Sequence, residues 1–178
     1  MQRMNLIDPA HATGRSKELL DKTHAQLGRV PNLYKAMANS TAALDGYLNF
    51  RGALVLGKLP APLREQIALL TAAINACEYC VSAHAFRGQK LGLLPEELAL
   101  NQTAVASDPK ANAALTFVKT LMAKHGAVDT DELSALKAAG WNDEEIGEIV
   151  AHVALNVFSN YFNHVAQPEL DFPLTRLA

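Results

Sequence analysis

Residues 63–92 read LREQIALLTAAINACEYCVSAHAFRGQKLG, and this stretch decides the fold. Alanine and leucine dominate it, and neither here nor elsewhere does a strand-like alternation run between turn signals, so the chain reads as all-α. Cys77, Cys80 and His84 stand at i, i+3 and i+7, so a helix starting near Cys77 presents all three on one face. Glu65 precedes Cys77 by twelve residues, which on a straight helix is about 18 Å. Either the chain breaks near Asn75 and folds back, or Glu65 serves a site across a subunit boundary. The plainer alternative for Glu65 is an exposed first-turn carboxylate favouring the helix N-terminus.

The flanking sequence extends the helical pattern in both directions. Ser16 is suited to cap a first helix that Gly28 ends, Pro31 opens a short one through Met37, and Ser40 or Thr41 caps the next, to about Leu56. The segment KLPAP starts the helix bearing Glu65, with Pro62 in its first turn. Further helices are expected from Pro95, from Asp108-Pro109, near Asp129 and from Asn142. The one after Pro109 spaces Ala114, Leu115, Val118, Leu121 and Met122 for a core, and Gly126 closes it. No low-complexity linker divides the chain, so residues 1–178 are expected to form a single compact helical domain.

Composition bounds the function. Hydrophobic residues make up 49% and charged residues 19% of the 178, the profile of a folded globular chain. A net charge of −2 offers no basic field for nucleic acid or anionic lipid. The N-terminal MQRMNLIDPAHATGRSKELL lacks the apolar run of a signal peptide, and Ile67 to Ile74 is too short to span a bilayer, so a cytoplasmic protein without membrane contact is expected. The two cysteines, three residues apart, are not the framework of a secreted disulfide scaffold.

Those cysteines carry the chemistry. A cysteine near a helix N-terminus meets the positive end of the dipole and unpaired N–H groups, which favour thiolate. His84, one turn beyond Cys80, is placed to accept its proton. Glu78 between the cysteines opposes thiolate formation by its charge. A second thiol within reach condenses with a sulfenic acid on the first and prevents over-oxidation. Three alternatives compete: a zinc site on Cys77, Cys80 and His84, a general protein disulfide oxidoreductase, and plain buried cysteines beside a core histidine. Haem attachment would need histidine where Val81 stands, and a thioredoxin fold would need strands around the motif.

Glu65, Cys77, Cys80 and His84 spell E-x11-C-x2-C-x3-H. This resembles the core motif of alkylhydroperoxidase D-like proteins in the carboxymuconolactone decarboxylase-like superfamily, centred here on residues 61–92. The stretches GRVPNLYKAMANS, KLPAPLREQIAL and VALNVFSNYFNHVAQPELDFP look like one bacterial branch of it. The resemblance implies an all-α homo-oligomer that reduces a small hydroperoxide with no cofactor. By that resemblance Cys80 attacks the peroxide, Cys77 resolves the sulfenic acid, and His84 with Glu65 relays the proton. A dithiol partner, lipoyl-bearing or thioredoxin-like, would restore the thiols. The best-known members carry histidine directly before the second cysteine. Tyr79 stands there in this chain and removes that imidazole. The superfamily's decarboxylases lack the C-x-x-C pair.

A second constellation repeats the offsets. Glu145, Val157, Asn160 and His164 are spaced as Glu65, Cys77, Cys80 and His84 are, with the thiols replaced. Residues 142–166 therefore read as a degenerate repeat, and His164 and Tyr79 join the candidate site as secondary members. The competing explanation is that Glu145 closes a capping box with Asn142 and that His164 is a core or interface histidine.

Overall fold

The computed structural model describes residues 2–178. Among them are nine helices and no strand: α1 Gly14–Leu27, α2 Asn32–Met37, α3 Thr41–Val55, α4 Ala61–Ile74, α5 Glu78–Lys90, α6 Pro95–Asn101, α7 Pro109–Ala123, α8 Thr130–Ala138 and α9 Asp143–Ala166. The chain is all-α, as its sequence reads.

Helices start where the sequence supplies caps. Ser40 accepts the Ala43 N–H at the head of α3, and Asp108 accepts the Ala111 N–H ahead of Pro109 in α7. Asp129 with Glu132 and Asn142 with Glu145 close full capping boxes on α8 and α9. One start differs from expectation. The first helix begins at Gly14 with Thr13 at its N-cap, so Ser16 caps nothing. Its hydroxyl lies 2.7 Å from that of Thr41 and ties α1 to the start of α3.

α4 is the central helix. It packs on α5, α6, α7 and α9, and Leu63, Gln66, Ile67, Ala68, Leu69, Leu70, Thr71 and Ala72 are all buried. A helix buried on nearly every side has to be mostly apolar, and here Arg64, Glu65, Gln66 and Thr71 are the polar exceptions. Leu63, Ile67 and Leu70 join Leu115, Val118, Trp141 and Ile149 in the largest apolar cluster, while Leu20, Met37, Leu44 and Leu155 anchor a second under α1–α3. A third, smaller cluster holds Leu69, Ala72, Val81, Ala85 and Leu98 together with both cysteines. No described helix is long and apolar enough to cross a membrane.

Candidate active site

The break between α4 and α5 builds the site. After Ile74 the backbone turns through Ala76 at a φ of 52°. The Ala76 N–H donates to the Ala73 carbonyl (3.0 Å) and the Cys77 N–H to the Ala72 carbonyl (2.9 Å). This is a Schellman closure of α4, in which Ala76 holds the left-handed position that glycine usually takes. α9 clamps the turn from outside: Asn75 donates from Nδ2 to Asn160 Oδ1 (2.9 Å), and His164 Nε2 donates to the Asn75 carbonyl (2.7 Å). A left-handed alanine costs about 1–2 kcal/mol, and glycine gives back part of that relief through its larger unfolded-state entropy. Ala76→Gly is therefore expected to raise stability by about 0.5–1 kcal/mol in a urea titration. Unchanged or reduced stability would mean that this turn stores no strain.

The fold-back answers the question of Glu65. α5 returns antiparallel along α4, and the Glu65 Oε2 of the same chain lies 2.7 Å from His84 Nδ1. Both side chains are largely buried, with 18% and 10% of their surfaces exposed. Burial alone would raise the Glu65 carboxyl, but His84, Arg87 and Arg51 overcome it and hold the pKa at about 2. Burial pushes His84 below its ordinary value, Arg87 and Arg51 push the same way, and Glu65 opposes them without prevailing. At neutral pH an ionised Glu65 faces a neutral imidazole. The carboxylate accepts the Nδ1 proton, which leaves Nε2 as the basic nitrogen.

Cys77 is the N-cap of α5, and its Sγ accepts the Cys80 N–H at 3.3 Å. The two cysteines form a disulfide with Cα atoms 5.2 Å apart, and they are 2% and 3% exposed. The polar neighbour of the Cys80 sulfur is Asn163 of α9, whose Nδ2 donates to it at 3.2 Å. In this oxidised state no hydrogen bond joins His84 to either sulfur, although the spacing leads one to expect contact with Cys80. Attraction to Glu65 sets the ring's direction instead. Cys77 alone of the pair lines an open cleft of about 770 Å³, together with Glu78, Tyr79, Asn163 and His164. Among the described residues, no three His, Cys, Asp or Glu side chains are grouped as metal ligands would be.

Tyr79 packs against the cluster that holds both cysteines, but its hydroxyl is engaged elsewhere. Its hydroxyl donates to Asp171 Oδ1 (2.6 Å) and accepts the Leu33 N–H (3.2 Å), while its ring meets Phe172 edge-on. Burial raises its pKa, and Asp171 raises it further, so the phenol keeps its proton at neutral pH. At the position where the best-known relatives carry histidine, this chain ties its C-terminal segment to α5.

α9 runs unbroken for 24 residues, so Glu145 and His164 stand about 28 Å apart along it. The carboxylate–histidine pair of the first constellation has no geometric counterpart in the second, because Glu145 closes the capping box with Asn142. Of the α9 residues that matter here, sequence reading singled out Asn160 and His164 and missed His152, Asn156 and Asn163. His152, Asn156, Asn160 and Asn163 are all buried. They form a polar stripe at i, i+4, i+8 and i+11 of a helix whose other inward positions, Ser159 apart, are apolar, and that periodicity was the available signal.

His152 is 5% exposed with its Nε2 unpartnered. Burial lowers its pKa to about 4, and Arg64 adds to the effect. The unfolded chain takes up this proton near pH 6.5 and the folded chain only near 4, so folding stability falls as the pH falls through that window. The melting temperature is expected to drop between pH 6.5 and 4, and His152→Leu should flatten the drop. An equally steep decline in that variant would assign the effect to other groups.

Residues 41–120, which include Glu65, Cys77, Cys80 and His84, match the sequence model of the carboxymuconolactone decarboxylase family. No curated protein matches the chain. Among solved structures, an alkylhydroperoxidase AhpD core, a peroxidase-related protein from Ralstonia eutropha, superposes with a TM-score of 0.84 at 24% identity, covering 96% of this chain and 92% of that one. A peroxidase-related protein from Silicibacter gives 0.80 at 24% identity over 93% and 88%. The debrominase Bmp8, in a cysteine-to-alanine variant holding 2,3,4-tribromopyrrole, gives 0.76 at 17% identity over 96% and 94%. At these identities the structures bear on the fold.

Proposed function

We propose that this chain, whose residues 41–120 match the carboxymuconolactone decarboxylase family and which has the fold of an alkylhydroperoxidase AhpD core, is a thiol peroxidase that reduces hydroperoxides through Cys77 and Cys80. The observation that carries this reading is a buried cysteine pair at a helix start, one turn from a histidine that is oriented by an ionised carboxylate.

In the proposed cycle His84 Nε2 takes the Cys80 thiol proton. The Cys80 thiolate attacks the terminal oxygen of the hydroperoxide, the O–O bond breaks, and Cys80 becomes a sulfenic acid. The departing alkoxide takes the proton from His84 and leaves as the alcohol. Cys77 then attacks Cys80, water leaves, and the disulfide forms. A dithiol restores both thiols by exchange, with Cys77 as the sulfur attacked, because it lines the open cleft. The Asn163 N–H and the first turn of α5 stabilise the departing Cys80 thiolate.

Near-complete burial of both sulfurs favours a small oxidant and a slender dithiol, such as a lipoyl arm, over the exposed disulfide of a folded protein. The Cys77–Cys80 disulfide takes both sulfurs out of the thiolate form that a zinc ligand needs, which favours redox chemistry over zinc ligation. A homo-oligomer is the assembly that the resemblance implies. It is supported by Val150, Phe158, Tyr161 and Val165, which leave an exposed apolar stripe along α9. The deciding experiment is hydroperoxide consumption by the purified protein with a panel of dithiol donors. Absence of turnover with every hydroperoxide and every donor would sink the reading.

A further inference from the structure

A second cavity, of about 350 Å³, is lined by His84 and by neither cysteine, and shares no residue with the Cys77 cleft. Four cationic side chains line it, Arg51 from α3, Arg64 from α4, and Arg87 and Lys90 from α5, against one carboxylate, Glu65. His84 and His152 also line it, and burial pushes both below their ordinary pKa. At neutral pH the cavity therefore carries a clear excess of positive charge, in a chain whose net charge is −2.

No described carboxylate of the protein pairs with any of these cations, although Lys90 stacks on Phe86 at 4.5 Å and Arg87 lies 5.9 Å over Phe172. Glu65 is engaged by His84 at 2.7 Å, and Arg64 gives one N–H to the Val55 carbonyl at 2.9 Å. Arg51 and Arg87 are half-buried, and no described carboxylate or carbonyl accepts a hydrogen bond from either. A half-buried guanidinium whose N–H groups have no protein acceptor keeps its donors free for an anion that enters the cavity. His152, in the same wall, adds a buried ring nitrogen with no partner. The remaining lining includes Val55, Ala68, Leu91 and Leu155, an apolar surface for the body of an organic molecule.

We propose that this cavity is the substrate pocket and that it selects an organic hydroperoxide bearing a carboxylate. The carboxylate is held by Arg51 and Arg87, and the peroxide end is directed past His84 towards Cys80. The inference rests on the thiol-peroxidase reading and names its substrate class. Guanidinium suits this task because its planar fork matches a carboxylate bidentately and stays charged at every working pH. The apolar wall explains why a bare inorganic anion is not the natural occupant.

Two measurements test the pocket. The first needs no turnover: calorimetric titration of the oxidised protein with 4-isopropylbenzoate, which has the carboxylate and an apolar ring but no O–O bond, against 4-isopropylbenzamide. The benzoate is expected to bind about ten- to a hundredfold more tightly than the amide, and Arg51→Gln or Arg87→Gln should erase most of that difference. If Arg87→Gln fails to fold, Arg51→Gln carries the test. The second compares cumene hydroperoxide with its para-carboxylate. The charged substrate should show a kcat/KM larger by about the same factor, expressed in KM, and the ratio should fall towards one in Arg51→Gln. Benzoate binding no better than amide binding, or surviving in a folded Arg51→Gln, overturns the pocket. Equal consumption of both hydroperoxides does the same and leaves the peroxidase reading standing. Benzoate bound selectively by a protein that consumes no hydroperoxide supports the pocket and removes the peroxidase.

Discussion

Cys80→Ser should abolish reaction with hydroperoxide, lowering turnover at least about a thousandfold, because serine at this position has neither the acidity nor the nucleophilicity of the thiol. Cys77→Ser should also fail to turn over, but differently. It should consume about one equivalent of peroxide and then hold Cys80 as a sulfenic acid that passes to higher oxidation states. Mass spectrometry after a peroxide pulse separates the two, with added oxygen expected on Cys80 in Cys77→Ser and an unmodified Cys77 in Cys80→Ser. The geometry makes this a sharp test, since Cys77 rather than Cys80 is the N-cap that receives a backbone N–H of α5. If Cys80→Ser keeps the single turnover and Cys77→Ser loses it, the helix start governs reactivity and the two roles exchange. A wild-type protein with both thiols free after peroxide would end the peroxidase reading altogether.

His84→Ala should slow the peroxide step by about two to four orders of magnitude at neutral pH, the usual worth of a positioned general base. Because thiolate is the reacting species, raising the pH should recover much of that loss. The wild type should hold its rate to lower pH than an ordinary imidazole would, since burial, Arg87 and Arg51 depress the His84 pKa and keep the base unprotonated. Glu65→Gln should bring a smaller defect in the same direction by loosening the tautomer that leaves Nε2 basic. Stopped-flow measurement of the peroxide step across pH, with circular dichroism to verify the fold, decides the matter. A His84→Ala protein that reacts normally at pH 7 with an unchanged thiol titration would reduce His84 to a core residue.

The sequence by itself determined the helical class, most helix starts and the placing of the cysteine pair at the start of a helix. Prolines, Ser40 and the Asn142–Glu145 box act through local sterics and hydrogen bonds, which need no tertiary partner. The i, i+3, i+7 spacing of Cys77, Cys80 and His84 likewise follows from helix geometry alone. What lay beyond local reading was everything that depends on how helices meet. Whether Glu65 belongs to its own chain's site turned on the fold-back at Ala76, a left-handed residue that no side-chain rule marks as glycine would. The imidazole's direction followed from Glu65 across the α4–α5 interface rather than from Cys80 along the helix. The Asn163 contact with the Cys80 sulfur joins residues 83 apart in sequence. Tyr79 reads as a lost catalytic histidine until Asp171 and Leu33 are seen to bond its hydroxyl. The cation-lined cavity gathers Arg51, Arg64, Arg87 and Lys90 from three helices, and their charges act together only because α3, α4 and α5 are packed around one space. Local sequence fixes which groups exist and which way a helix presents them. Burial, field and partners are properties of the packed whole, and here they decide which nitrogen is basic, which sulfur meets the cleft and which charges share one cavity.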